Sequence, residues 1–337
     1  MRRITTMRLS MGLLMLIVAS TAAPAAGNAP RDMITPAALY DLAENATVEI
    51  LVDGRLDGSG WFASADGLVV TAGHVVVGRT DHRIEIISPA AGRKIAKFVA
   101  IDRGHDLALL RVEKDDKPFP FLKVADAMPA PGQDVWLFAA ANFRHKLMLR
   151  GSVARRNSTY EYFSNNRQYT NVYHVSAPSP PGTSGGCWLD QRGRVVGNQS
   201  AFMTVNGAGA GIAMLSPPGA IAHLIQSQKT VATTTTQCAF EELWTQPVGY
   251  IANYPPGSAG LVPVLIQAEG AAAKAGLSDQ MIITAVDDQL VAYVDELLTV
   301  LRRKKPGDKV TFTVLKLDGS GQAQITIELE ALDATRN

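Results

Sequence analysis

Ser184 lies in Pro181-Gly182-Thr183-Ser184-Gly185-Gly186, a glycine-rich turn followed by apolar, strand-like sequence. A serine hydroxyl is a weak nucleophile until a base takes its proton and N–H donors face the oxyanion that forms. Glycines on either side permit unusual backbone angles and let a substrate carbonyl approach the main chain. A Gly/Ser surface loop has the same composition, so chemistry here requires a base and a carboxylate from elsewhere. Of the six histidines (His74, His82, His105, His145, His174 and His223), His74 is set apart by Val69-Val70-Thr71-Ala72-Gly73-His74-Val75-Val76. An apolar strand delivers it after small residues, a setting that fixes an imidazole in a cleft as a general base. Asp106 heads Asp106-Leu107-Ala108-Leu109-Leu110. A carboxylate there is costly to bury unless it accepts hydrogen bonds, and a histidine N–H is a fitting donor. Asp102 precedes Arg103-Gly104 and reads as exposed, whereas His105 adjoins Asp106 and faces away from it on a strand.

The elements that must position these residues are mostly strands. A short helix is expected over Pro36–Asn45. Strands are expected at Thr47–Val52, Gly58–Phe62, Leu68–Ala72, Arg83–Ile87, Ala96–Ala100, Leu107–Val112, Asp134–Ala139, Leu147–Arg155, Thr170–Ser176, Cys187–Leu189 and Val195–Phe202. Short strands at regular spacing with turn residues between them predict an antiparallel sandwich or barrel. Pro217–Gln228 reads as a closing helix. Beyond a threonine-rich linker the pattern changes. Strands are expected at Leu261–Ile266 and Met281–Val286, helices at Ala271–Ala275 and Ala292–Lys304, and a hairpin of Val310–Leu317 and Gln324–Leu329 turns across Asp318-Gly319. The fold class is mainly β, with a small α+β module at the C-terminal end. The division expected is 1–26 leader, 27–46 flexible N-terminal segment, 47–229 first domain, 230–242 linker and 243–332 second domain.

Charge is balanced, 32 basic against 31 acidic residues, so nothing electrostatic points to nucleic acid as partner. Arg2, Arg3 and Arg8 before the apolar run Leu9–Ala19, followed by Ala23-Pro24-Ala25, have the make-up of a cleavable export signal. The protein is therefore expected to be exported, periplasmic or secreted, and soluble once the signal is cleaved. The two cysteines, Cys187 and Cys238, leave their pairing open, and no metal-ligand cluster or cofactor motif is present in the sequence.

Gly58-Ser59-Gly60-Trp61-Phe62, Thr71-Ala72-Gly73-His74-Val75-Val76, Asp106-Leu107-Ala108-Leu109-Leu110 and Gly182-Thr183-Ser184-Gly185-Gly186 resemble, in this order, the landmarks of trypsin-like serine proteases of the HtrA/Deg type. Gly209–Met214 resembles a strand of that family near its specificity pocket, and Gly270–Leu277 with Met281–Leu290 resembles its PDZ domain. The resemblance implies a trypsin-like double β-barrel followed by a PDZ-like domain. Ser184 would then be nucleophile, His74 base and Asp106 its orienting partner, with the N–H groups of Gly182 and Ser184 as oxyanion hole. Gln199, Ser200, Ala201 and Gly211 would line the specificity pocket, which is expected to prefer small or medium apolar side chains because no aspartate marks its base. Gly249, Tyr250 and Ile251 would bind a peptide carboxylate. Substrates would be unfolded or misfolded proteins, the PDZ-like domain would take C-terminal or extended peptides, and the assembly would be a homo-trimer or a multiple of one. Tyr40 is the candidate aromatic for packing between subunits.

Two departures from the family pattern bear on activity. Thr183 stands where asparagine is usual, after a Pro180-Pro181 lead-in, and Val175–Ser179 lacks the family's carboxylate upstream of the serine. A protease-like binding or chaperone scaffold with weak or no turnover is the alternative these departures raise. A processing peptidase of narrow specificity is a third.

Overall fold

The computed structural model describes residues 33–79, 81–317 and 321–332. The expected leader and the Asp318-Gly319 turn lie outside the described residues. Helix α1 (Pro36–Ala46) starts at Thr35, whose hydroxyl accepts the Ala38 N–H at 3.2 Å, and Pro36 fits the first helical turn. Leu39, Ala43 and Ala46 are buried on one face against Trp61, Leu68, Leu109 and Phe138. The helix expected over Pro36–Asn45 is thus present, and it packs into the inter-barrel core rather than belonging to the flexible segment 27–46. Apolar residues at three- and four-residue spacing are the cause. Tyr40 is used within its own chain: its ring meets Phe138 edge-on at 5.1 Å, and its hydroxyl donates to the Lys146 carbonyl at 3.0 Å.

Strands β1 (Thr47–Val52), β2 (Arg55–Phe62) and β3 (Leu68–Ala72) lead into one helical turn, α2 (Gly73–Val76). With β4 (Ile84–Ser88), β5 (Gly92–Asp102) and β6 (Leu107–Val112) they form a closed antiparallel barrel in the order β1-β2-β3-β6-β5-β4. Closure leaves no free strand edge and fills the interior with Val48, Ile50, Phe62, Val69, Ile86 and Leu110. The second barrel uses β7 (Asp134–Ala139), β8 (Leu147–Val153), β9 (Thr159–Phe163), β10 (Gln168–Ser176), β11 (Cys187–Leu189), β12 (Val195–Val205) and β13 (Ala208–Ser216). Its order is β13-β12-β11-β7-β8-β10-β9, and a β13–β10 pairing closes it. Pattern reading misses β9, because Tyr160 and Tyr162 bury against a different module rather than within the barrel. Helix α3 (Pro218–Ser227) closes the unit with Ile221 and Leu224 in the inter-barrel core.

A two-residue strand, β14 (Thr234–Thr235), falls within the expected linker, and the C-terminal module begins at β15 (Ala239–Glu242). One helical turn, α4 (Val248–Ile251), precedes β16 (Leu261–Val264), which stops short of Ile266 because Leu265 turns left-handed at φ 49°. Then come α5 (Ala271–Lys274), β17 (Met281–Val286), β18 (Gln289–Leu290), α6 (Val294–Leu301), β19 (Lys309–Lys316), β20 (Gln322–Glu328) and β21 (Glu330–Ala331). The sheet order is β15-β16-β17-β19-β20, with β18 on β17, and β14 pairs with β21. Helix α6 is shorter than its apolar periodicity predicts. The Glu296 carboxylate accepts the N–H groups of Ala292 and Tyr293, at 2.8 and 3.1 Å, and ends the extended segment there.

The β9–β10 hairpin docks on this module. Tyr169 Oη accepts the Phe240 N–H at 2.7 Å and lies 3.0 Å from the Phe240 carbonyl, which satisfies the edge of β15 at that residue. Asp295 accepts from Thr159 Oγ1 and the Tyr160 N–H, both at 2.9 Å, and Arg302 donates to the Tyr169 carbonyl. Cys187 and Cys238 are both free and buried, one in the inter-barrel core and one in the C-terminal module. Burial pushes each thiol up to about 12.

Candidate active site

The three residues singled out for chemistry meet where the two barrels face each other. Strand β3 is buried along its whole length and ends at Ala72, so α2 projects His74 into the cleft. Asp106 fixes the turn from two directions: its carbonyl accepts the Gly73 N–H at 3.0 Å, and its Oδ1 accepts the His74 N–H at 2.8 Å. Asp106 Oδ2 then meets His74 Nδ1 at 2.8 Å, and His74 Nε2 meets Ser184 Oγ at 2.9 Å. With the proton on Nδ1 held by Asp106, Nε2 is left as the acceptor for the serine O–H. Asp106 is buried, while about a third of the His74 side chain is open to the cleft.

Burial works against charge on both partners, and their mutual attraction outweighs it. For His74, desolvation favours the neutral ring, but the Asp106 charge and hydrogen bond hold the pKa above its ordinary value. For Asp106, desolvation opposes ionisation, but His74 and Ser200 hold the pKa below the ordinary carboxylate value. Ser200, expected in the pocket wall and found there, has a further role. Its Oγ donates to Asp106 Oδ2 at 2.5 Å, so it also braces the relay.

The nucleophile turn is held by close backbone approaches. Gly185 has φ 84°, and a Cβ there would lie 2.1 Å from the Ser59 carbonyl. Gly182 has φ 89°, and its Cβ would lie 2.4 Å from the Ala140 carbonyl. Ser59 ties the turn to the first barrel: its N–H donates to the Ser184 carbonyl at 2.7 Å and its Oγ to the Gly182 carbonyl at 2.9 Å. Thr183 donates through Oγ1 to the Pro180 carbonyl at 2.7 Å. The Pro181 carbonyl accepts the Asn142 N–H at 2.7 Å. In a trans peptide the N–H points opposite the carbonyl, so this bond aims the Gly182 N–H away from Asn142.

Beside the serine is a cavity of about 500 Å³, lined among others by His74, Ser184, Gln199, Ser200, Ala201 and Met214. Three of the four expected pocket residues line it. Gly211 does not; its carbonyl accepts the Ala177 N–H, and Met214 takes the place on β13. Gln199 is tied on both sides, accepting from Trp188 Nε1 and donating to the Ala201 carbonyl. Asp102, expected to be exposed, is buried and meets His105 Nδ1 at 2.8 Å, because β5 runs to that residue and a bridge to Val231 covers it. Gly249, Tyr250 and Ile251 form the α4 turn. Gly249 is exposed, while Tyr250 is half-buried and donates to the Asp279 carbonyl at 2.7 Å. Ser59 and Met214 are the functional neighbours whose roles sequence reasoning missed, although both lie inside stretches quoted for their motifs.

Two closed antiparallel barrels with a Ser–His–Asp relay between them, followed by a small sheet-and-helix module, define a trypsin-like peptidase domain joined to a PDZ domain. Residues 58–197 match the family model of the trypsin-like peptidase domain, and residues 248–329 match that of the PDZ domain. In this domain order the chain is of the HtrA/Deg type. It is 25% identical to Protease Do-like 1, chloroplastic, of Arabidopsis thaliana, over 84% of this chain and 66% of that one. It is 28% identical to a probable periplasmic serine endoprotease, DegP-like, of Bartonella henselae, over 83% of this chain and 54% of the relative. The chain therefore spans about half to two thirds of these relatives' length. Its fold is that of the HtrA-type protease AlgW solved with a decapeptide, at TM-score 0.64 and 20% identity, over 88% of this chain and 99% of that one.

Proposed function

We propose that the chain is an exported serine endopeptidase that hydrolyses peptide bonds in unfolded or misfolded proteins. The observation that carries this reading is the continuous relay Asp106–His74–Ser184, with contacts of 2.8 and 2.9 Å beside a cavity large enough for a peptide segment. In this mechanism His74 Nε2 takes the Ser184 proton as Oγ attacks the scissile carbonyl, and Asp106 stabilises the imidazolium without taking the proton. The N–H groups of Gly182 and Ser184 receive the oxyanion, and the Pro181–Asn142 bond supports a Gly182 N–H set before substrate arrives. His74 then protonates the leaving amine, and water repeats the sequence on the acyl-enzyme.

The expected domain division 47–229, 230–242 and 243–332 belongs to the same proposal, with its last boundary moved to Ala239, where β15 enters the C-terminal sheet. So does a substrate-binding or regulatory role for the PDZ module, taking C-terminal or extended segments near Gly249, Tyr250 and Ile251. Added strands are the usual PDZ mode; here the β15 edge is already satisfied at Phe240 by Tyr169, so a peptide must pair away from that residue or displace it. An exported, periplasmic location and a trimeric assembly follow the relatives and the family pattern, and no helix among the described residues is long and apolar enough to cross a membrane.

The test is labelling of the purified protein with a fluorophosphonate together with cleavage of an unfolded substrate such as casein. Wild type is expected to label and cleave, and Ser184→Ala to do neither. Folded wild type that does neither overturns the reading and leaves the binding-scaffold alternative.

A further inference from the structure

Strand β9 presents two faces. Tyr160 and Tyr162 bury against the PDZ core, so the residue between them, Glu161, points the other way. Glu161 lines the cavity that contains His74 and Ser184, with Tyr162 beside it, and it also borders a second hollow between β9 and the PDZ module. Among the described residues, it is the only ionisable one in that wall apart from His74 and Tyr162, and no described lysine or arginine lines it. Register explains what stands behind it. Glu161 faces Thr170 across β9–β10, and His174, two pleats further along β10, shares the face of Thr170. His174 in turn faces Met214 across β10–β13, and Met214 lines the same cavity. Glu161 Oε1 lies 3.0 Å from His174 Nε2. The alignment is too poor for a hydrogen bond, and this buried ring nitrogen has no hydrogen-bond partner among the described residues. The carboxylate thus has an imidazole beside it and, among the described residues, no side-chain hydrogen bond that uses up its oxygens.

Building on the proposed peptidase function, we infer that Glu161, backed by His174, forms an acidic subsite that takes a basic side chain of the substrate. The cation would come from the stretch of substrate lying along β12. A half-buried carboxylate in a cleft attracts a Lys or Arg side chain more strongly than an exposed one does, because less water screens the pair. An Arg guanidinium can also make two parallel hydrogen bonds to it. The apolar preference expected from Gln199, Ser200 and Ala201 is thus only part of the selection, and the cleft adds a charge requirement at a second position.

Positional scanning with fluorogenic peptides tests this, comparing wild type with Glu161→Gln, which keeps the side-chain shape. Wild type is expected to favour Lys or Arg at one position by about tenfold in kcat/KM over norleucine. Glu161→Gln is expected to lose that preference while cleaving neutral peptides and labelling Ser184 as wild type does. Glu161→Lys is expected to invert it toward Glu. A preference for the cation that is equal in wild type and Glu161→Gln, or no preference in wild type, overturns the inference. A second arm measures binding of Lys-containing and norleucine-containing peptides to Ser184→Ala protein by fluorescence anisotropy. Charge-dependent binding lost in Ser184→Ala/Glu161→Gln, with a wild type that neither labels nor cleaves, keeps the subsite and discards the peptidase. Cleavage without charge dependence does the reverse.

Discussion

Asp106 occupies a left-handed backbone conformation, φ 53°, which few residues other than glycine, asparagine and aspartate adopt easily. Asn is therefore the substitution that removes its charge with least disturbance of the turn. Asp106→Asn is expected to lower kcat by about ten-thousandfold, because the amide favours the wrong His74 tautomer, with the circular dichroism spectrum and unfolding midpoint close to wild type. The pH profile follows from the same pair. Catalysis needs neutral His74, and its pKa is raised, so activity rises with pH through a midpoint above the ordinary ~6.5 and is lost below it. In Asp106→Asn the attraction is gone and burial remains, so the residual activity is expected to have its midpoint shifted down. A kcat/KM profile from pH 5 to 9 for both proteins checks the sign. At this scale the sequence is most readable, since Ser184, His74 and Asp106, ambiguous one by one, fit a single chemical role when taken together and in order. Ser59 and Ser200 were not, because a serine in a strand carries no local mark of whether its hydroxyl serves a carbonyl, a carboxylate or water.

Among the elements, the nucleophile turn and the β9–β10 hairpin bear the most on the cleft. A Cβ at Gly185 would strike backbone on the opposite barrel, so the clash cannot be relieved by rotating a side chain. Gly185→Ala is expected to destabilise by about 2 to 4 kcal/mol and to abolish fluorophosphonate labelling, read by chemical denaturation and gel fluorescence. Tyr169→Phe keeps the ring contacts, edge-on with Tyr162 at 5.1 Å and stacked with Phe240 at 6.3 Å, but strips the hydroxyl from the Phe240 edge. The two backbone groups left without it are expected to cost about 1 to 3 kcal/mol in thermal or urea unfolding. The barrels were legible from alternation and turns because their strands bury within one domain. Strand β9 was not, since its tyrosines complete a core made from another part of the chain. Helix ends moved for local reasons, such as the Glu296 carboxylate at the start of α6.

Across the whole molecule, the order of modules was readable because composition and periodicity change near residue 231, and family resemblance gave each part its architecture. Their docking was not readable: Asp295 on α6 and Arg302 at its C-cap belong to a polar face that looks like any solvated face, yet they reach Thr159, Tyr160 and Tyr169. The cysteines were also undetermined from sequence, and the structure gives each core one free thiol. Such a thiol, buried and with its pKa near 12, reacts only when its surroundings open. Alkylation followed by peptide mapping therefore becomes a clock for each module. Cys238 is expected to react on the timescale of PDZ opening and Cys187 on that of inter-barrel opening. Equal rates at both sites under native conditions would mean that the two cores breathe as one cooperative unit.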